Sequence, residues 1–298
     1  MAATASSQEE ARTLIIGLSG PSSSGKTTLA RLLRQVFNVR PDVLRFFIIH
    51  EDDFYKTDKD IPRKTFSSEQ FGTRELDDWD CVESLDLPLL RRVLTYVKQH
   101  GQLPDDFASK EDKNTIGESG VSDEQVKQCQ SEVGTWLESS KASNGPLTVC
   151  LLDGFLLFPD PKSSTDSQEN ELYDILEPLM SLKVFIPSTR QQTIDRRTKR
   201  TGYVTLEGFW EDPPGYVEDV VWPNYSRDHA WLFGQHGDQR LFEEAMREAV
   251  DAGKANRQTA TTNRILVGPG SGEVHLKDIL PWAVGSIENA IYARKQIR

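Results

Sequence analysis

The chain has little cysteine, little histidine and no long apolar run. Its three cysteines are scattered and include no C-x-x-C pair, so neither a disulfide framework nor a zinc site is predicted. The five histidines also lack the spacing of metal ligands. No stretch approaches the roughly 18 consecutive apolar residues that a membrane span requires, and we expect no membrane association.

An excess of positive charge is lacking as well, since the chain has 35 lysines and arginines but 46 aspartates and glutamates. The formal net charge is -11, and phosphate backbones attract basic surfaces, so a nucleic-acid partner is not expected. Residues 1–12 contain no apolar core and carry paired glutamates, which predicts a flexible tail that is neither a secretory nor a transit signal. A cytoplasmic location is the expectation, with nuclear residence left open.

A glycine-rich loop is the most informative feature that is present. Residues 20–27 read GPSSSGKT and match G-x-x-x-x-G-K-[ST] at every fixed position. A β-branched apolar run precedes the loop and a helical pattern follows it, which argues against a turn that binds nothing. The pattern predicts a nucleoside-triphosphate site in which Lys26 meets the β- and γ-phosphates and Thr27 ligates Mg²⁺. The residues assigned to this cradle are Gly20, Pro21, Ser22, Ser23, Ser24, Gly25, Lys26, Thr27 and Thr28.

Strand and helix patterns alternate along the chain. Five apolar runs predict buried parallel strands at 13–18, 44–50, 147–152, 182–186 and 264–268. The alternation favours a three-layer α/β P-loop fold, with a central parallel sheet and helices on both faces.

We expect one domain over residues 13–298. Polar insertions are predicted near 101–146 and 226–263, although stretches within both have helical patterns. Residues 101–120 read as a mobile surface excursion, and 161–170 read as a further loop.

Two acidic side chains follow predicted strands. Asp52 ends the second strand and Asp153 the third, and ligands of open parallel sheets bind beyond the carboxyl ends of the strands. A carboxylate there can accept a hydroxyl proton or hold Mg²⁺. The structural alternatives are a solvated acidic turn for Asp52 and a helix N-cap for Asp153.

An arginine-rich segment predicts a lid near 188–226. Residues 190–200 hold five cations and one acid, and a helix is expected to open at Ser188 with Gln191 in capping-box register. Arg196 and Arg200 can converge on one helical surface, where arginine forks suit a transferring phosphoryl group. Arg190 is assigned to the outer face, and a solvated basic face is the alternative for the whole segment.

Six motifs together resemble nicotinamide riboside kinases, of the uridine-kinase-like branch of P-loop kinases. The motifs are GPSSSGKT, HEDDFYK, DDWDCVESLD, LDGFLLF, DRRTKRTGY and DPPGYVEDVVWPNY. The resemblance covers most of residues 13–230, and the last motif is the most specific.

The resemblance implies roles that the residues alone do not. Asp52 would be the proton acceptor, with Lys26 and Arg200 as the other catalytic groups. Magnesium would be held by Thr27, Asp52 and Asp153, and ATP by the P-loop with Arg196 and Arg200. Trp79 and Asp80 would hold the nicotinamide and ribose, Arg197 would reach the ribose, and residues 269–272 would lie by the adenine. Trp79 stands where relatives have tyrosine, and Asp153 where a glutamate occurs.

The implied reaction is ATP-dependent phosphorylation of the 5′-hydroxyl of nicotinamide riboside in NAD synthesis, with nicotinate riboside as a second substrate. A kinase for uridine, cytidine or another small alcohol is an alternative. A catalytically silent nucleotide-binding regulator is an alternative of another class. A monomer or small homo-oligomer is expected, and the sequence leaves open whether ATP or GTP is the donor.

Overall fold

A five-stranded parallel sheet lies at the centre of the protein. The computed structural model describes residues 13–111, 117–139, 146–160, 167–200, 202–205, 207–233, 239–253 and 265–296. The strands are β1 (Thr13–Ser19), β2 (Leu44–His50), β3 (Arg63–Ser68), β4 (Gly72–Asp77), β5 (Leu147–Gly154), β6 (Met180–Phe185), β7 (Tyr203–Val204), β8 (Phe209–Trp210) and β9 (Ile265–Val267). The helices are α1 (Lys26–Phe37), α2 (Leu87–His100), α3 (Asp123–Ser139), α4 (Ser167–Leu176), α5 (Arg190–Arg197), α6 (Trp222–Phe233), α7 (Gln239–Ala252) and α8 (Leu276–Gln296).

The strand order in the main sheet is β2-β5-β1-β6-β9, and every pair is parallel. The five strands are those predicted from the apolar runs. All seven residues of β1 are buried, as expected for a strand covered on both faces. The chain order reverses at β1, between β5 and β6, and such a switch point is where open α/β sheets bind ligands.

Helices cover both faces of the sheet and make two cores. Alternate residues of β1 point to opposite faces: Ile15 packs with α2, α4, α6 and α7, while Leu14 and Ile16 pack with α1, α3 and α8. This arrangement confirms the predicted three-layer α/β fold.

The polar segments are more integrated than expected. The second half of α6 and the whole of α7 fall in the segment predicted as a polar insertion at 226–263, yet Trp231, Phe242 and Met246 are buried in the core. Residues 167–170 open α4 and do not form a loop. The ring of Phe242 packs against Trp222 and Phe233 of α6, and Phe233 packs against Phe185 of β6, contacts that the polar flanking sequence conceals. The tail at 1–12 lies outside the described residues.

The cap of α5 lies one residue later than predicted. The N-cap is Thr189, and Gln192 completes the capping box. Ser188, the predicted cap, is fully buried. Adjacent hydroxyl residues can both cap, and packing decides between them. The described part of the chain contains no helix with the length and apolar character to cross a membrane.

Candidate active site

The glycine-rich loop forms a phosphate cradle between β1 and α1. Gly20 and Gly25 have φ values of 151° and 94°, and a Cβ on Gly20 would lie 2.2 Å from the carbonyl oxygen of Ile186. Both positions therefore require glycine. Gly25 caps α1 without a side-chain hydrogen bond, so the first N–H groups of α1 are available to an anion.

Lys26 lies at the base of the cradle and is 8% exposed. Its Nζ donates to the carbonyl of Pro21 at 3.0 Å. Burial lowers the pKa of Lys26, and the charges of Asp153 and Asp52 oppose that shift. A phosphate oxygen can replace the Pro21 carbonyl as the hydrogen-bond acceptor of this ammonium group.

Asp52 and Asp153 stand together at the carboxyl ends of neighbouring strands. Asp52 lies in a short 3-10 turn, Glu51–Phe54, directly after β2, and is half-buried. Burial and the charge of Asp153 raise the pKa of Asp52. Burial opposes ionisation of Asp153 too, but hydrogen bonds from His50 and Thr27 and the charges of His50 and Lys26 leave its pKa lowered. The environment thus makes Asp52 the better base and keeps Asp153 ionised.

The oxygen atoms of Thr27 and Asp153 are suitable ligands for a magnesium ion. The Thr27 hydroxyl lies 2.7 Å from Asp153 Oδ2, and the buried Oδ1 has no hydrogen-bond partner among the described residues. No group of three or more His, Cys, Asp or Glu side chains in the described ranges has the arrangement of a metal cage. Magnesium usually takes only one or two carboxylates and completes its shell with substrate phosphates and water, so this smaller set suits it.

Aromatic side chains make a further wall of the cavity. Trp79 is 6% exposed, and the ring centroids of Tyr55 and Trp210 lie 5.3 Å and 5.7 Å from its own. All three rings line the cavity. Trp79 was predicted from the sequence as a site residue, whereas Trp210 was not; the short hairpin β7–β8 carries Trp210 to the cavity.

Arg197, at the end of α5 in the predicted lid, joins that helix to this wall. Its guanidinium contacts both oxygens of Asp212 at 2.7 Å and 3.1 Å, those of Asp80 at 3.3 Å and 3.4 Å, and Ser22 Oγ at 2.8 Å. Burial raises the pKa of Asp80 to about 6, although the charge of Arg197 lowers it. Asp212 was missed as a site residue, although it opens the motif DPPGY. Two carboxylates around one arginine suit vicinal hydroxyls, which can both accept from a guanidinium and donate to a carboxylate.

The most specific motif braces the loop that carries Trp79 and Asp80. The Tyr216 hydroxyl accepts from the N–H of Trp79 and donates to a backbone carbonyl, each at 3.0 Å. Asn224 donates to Asp78 Oδ1 at 2.9 Å, and the same oxygen accepts from the N–H of Asp80 at 3.2 Å. The motif therefore positions Trp79 and Asp80 by holding the backbone of their loop.

The other lid cations lie where the cradle opens. Arg196 donates to the carbonyls of Ser23 and Gly272 at 3.5 Å and 2.6 Å. Arg200 is exposed but lines the cavity, and its charge lowers the pKa of both Lys26 and Asp52. Arg190 lies at the other end of α5, where its backbone N–H donates to Glu243 of α7 at 2.8 Å.

A cavity of about 990 Å³ connects the cradle, the two acids and the aromatic wall. Residues 269–272 were expected to lie beside the adenine. Of these, Gly272 lines the cavity, and the lining continues forward to Leu276 but does not include Pro269. A nucleoside and a nucleoside triphosphate can be held in one space of this size.

Part of the predicted surface excursion at 101–120 belongs to the cavity wall. Asp53 Oδ1 accepts the backbone N–H groups of Lys110 and Glu111 at 2.7 Å and 3.0 Å. Arg31 of α1 donates to the carbonyl of Glu111 at 2.9 Å. The described residues at this point are therefore pinned to the carboxyl end of β2, which the polar composition of the segment did not reveal.

Two groups of known proteins resemble the chain to different extents. A nicotinamide riboside kinase from Schizosaccharomyces pombe is 32% identical over 283 residues, which cover 94% of this chain and 98% of that protein. A nicotinamide riboside kinase from Eremothecium gossypii is 30% identical over 74% of this chain and 78% of its own length. A uridine kinase from S. pombe is 34% identical over only 97 residues, covering 30% of this chain and 20% of that protein.

No family model matches the chain. The full-length similarity nevertheless extends past the P-loop and through the lid and α6, where the motifs bracing the Trp79 loop lie. The chain belongs to the nicotinamide riboside kinase family.

Proposed function

We propose that this protein is an ATP-dependent kinase that phosphorylates the 5′-hydroxyl of nicotinamide riboside, and of nicotinate riboside as a second substrate, to give the mononucleotide. The observation that carries the proposal is that a P-loop, the acid pair Asp52 and Asp153, and an aromatic wall line one cavity. Nicotinamide riboside kinases among its relatives support the choice of substrate.

The proposed reaction is a direct transfer between bound substrates. Asp52 accepts the proton of the 5′-hydroxyl as its oxygen bonds to the γ-phosphorus, and the bond from that phosphorus to the β-phosphate oxygen breaks to release ADP. Lys26 and Arg200 offset the charge that collects on the phosphoryl oxygens. Burial and Asp153 raise the pKa of Asp52, and the charges of Lys26 and Arg200 oppose that rise, so the base and the charge-stabilising groups share one site.

Thr27 and Asp153 would hold Mg²⁺, with Asp52 beside them. Bound to ATP, the ion would neutralise the β- and γ-phosphates. Arg196 and the amides of the cradle would contact the remaining phosphate oxygens.

The acceptor would lie against the aromatic wall. The ring of nicotinamide riboside is a pyridinium, and an indole face attracts such a cation by about 0.5–2 kcal/mol. Trp79, Tyr55 and Trp210 present that surface. Asp80 and Asp212 add negative charge near it, while Arg197 orients the ribose hydroxyls.

The partial match to a uridine kinase favours a second candidate acceptor, because the cradle and the acid pair would serve any nucleoside. Uridine has a neutral ring, so it gains less from an indole face. The cytoplasmic location and the monomeric or small oligomeric state expected from the sequence stay predictions.

A nucleoside panel tests the proposal. ADP release would be measured with nicotinamide riboside, nicotinate riboside, uridine and cytidine, each with ATP and then GTP, over a range of Mg²⁺ concentrations. We expect the highest kcat/KM with nicotinamide riboside. A higher value with uridine would replace the proposed acceptor, and no turnover with any nucleoside, despite ATP binding, would favour a regulator.

A further inference from the structure

His50 is a buried residue that the proposed reaction does not use. It is the last residue of β2 and is 1% exposed. Its Nδ1 lies 3.0 Å from Asp153 Oδ2. The two residues are partners in the register of β2 and β5, so the spacing of adjacent parallel strands holds their Cα atoms together.

The direction of this hydrogen bond follows from chemistry. An ionised carboxylate has no proton to donate, so the Nδ1 atom must carry the hydrogen. His50 therefore donates to Asp153.

Two donors converge on the same carboxylate oxygen. The Thr27 hydroxyl also donates to Asp153 Oδ2, at 2.7 Å. Since its hydrogen is committed there, the lone pairs of Thr27 point away from Asp153. The second oxygen, Oδ1, is buried and has no hydrogen-bond partner among the described residues. A buried oxygen of this kind is costly unless a ligand or water completes it.

We propose that His50 is a positioning residue for the divalent-cation site. By fixing the plane of the Asp153 carboxylate, it assigns Oδ2 to the Thr27 hydroxyl and leaves Oδ1 for the cation or its water. The inference rests on the proposed function in that the cation accompanies the nucleotide. Partners that orient a metal-binding carboxylate or histidine typically contribute about 10–100-fold to metal affinity or activity.

Three variants separate positioning from simple structural support. His50→Ala removes the donor. His50→Asn places an amide N–H near the former Nδ1 and restores it. Ile49→Ala, at the neighbouring fully buried position of β2, makes a cavity on the other face of the sheet and serves as the matched control. Should His50→Ala fail to fold, His50→Gln is the substitute. Glutamine fills the same space, but its amide lies one methylene beyond the former Nδ1 position and cannot replace the donor to Asp153.

The direct readout is the affinity of each variant for Mn²⁺ in the presence of ADP, measured by electron paramagnetic resonance. The Mg²⁺ concentration for half-maximal rate and the KM for riboside would be measured alongside. We expect His50→Ala or His50→Gln to weaken Mn²⁺ binding about tenfold or more, with His50→Asn within about threefold of wild type and riboside KM unchanged.

Mn²⁺ affinity in His50→Ala equal to that of the wild type would overturn the inference. So would a loss no greater than that of Ile49→Ala. Because the binding readout does not require turnover, it stands even if the wild-type protein phosphorylates none of the ribosides, so the failure of the proposed function and the failure of this inference are distinguishable.

Discussion

Replacing Asp52 by asparagine tests the proposed base with little change of shape. Asparagine cannot accept the 5′-hydroxyl proton, and general-base contributions are about 10²–10⁴-fold, or roughly 3–5 kcal/mol in the barrier. The structure favours a large effect, because burial and Asp153 raise the pKa of Asp52 and so make it a stronger base than an exposed aspartate. We expect kcat to fall by two to four orders of magnitude.

Nucleotide binding should survive that change. The cradle amides and Lys26 do not depend on Asp52 for a hydrogen bond, since Lys26 donates to Pro21. The assay is steady-state ADP release together with calorimetric binding of ADP, with the exposed Asp60→Asn as control. Activity of Asp52→Asn within a few-fold of wild type would remove this residue from the mechanism and transfer the role to Asp153 or Asp53.

Three further predictions concern the lid, the acceptor wall and the core. Arg200→Ala should lower kcat/KM strongly while Arg190→Ala changes it little, because Arg200 lines the cavity and Arg190 is not among the lining residues, and equal losses would mean that the wrong face of the lid helix was assigned inward. Trp79→Leu should raise the KM for nicotinamide riboside by roughly three- to thirty-fold and change uridine kinetics less, with unaltered riboside kinetics counting against the pyridinium assignment. Burial lowers the pKa of His229 to about 4, so this residue contributes stability that is full above the unfolded pKa of 6.5 and is lost as the pH falls toward 4. Urea unfolding at pH 7.5 and pH 5 should therefore show that His229→Gln loses about 2 kcal/mol less than wild type over that interval, and parallel losses in the two proteins would refute the shift.

Local patterns in the sequence predicted the strands, the main helices and the cradle. The loop between β1 and α1 is encoded by contiguous residues, since glycine at 20 and 25 permits backbone angles that other residues avoid. Acids at two strand ends were predicted to meet because parallel strands end at the same edge of a sheet, and His50 does pair in register with Asp153. The lid helix begins one residue later than predicted, because Ser188 and Thr189 are neighbouring hydroxyl residues and either could cap it.

Contacts between distant segments were decided by the tertiary structure. The partners His50 and Asp153 are 103 positions apart, and Arg197 and Asp80 are 117 apart. Trp210 of β8 contacts the ring of Trp79, which lies far from it in the sequence. No periodicity encodes such pairs, since they depend on how layers pack and not on local backbone preference.

Residue types alone set the chemistry that is available to this protein, because they decide which side chains can bind phosphate, accept a proton or bring charge to a phosphoryl group. The folded structure then gives residues of the same type different pKa values and so different roles. Asp52 and Asp153 are the same residue type, and burial raises the pKa of one while hydrogen bonds from His50 and Thr27 and nearby positive charges lower that of the other. A side chain's identity is local, but its solvation and its neighbours are set only when the strands come together.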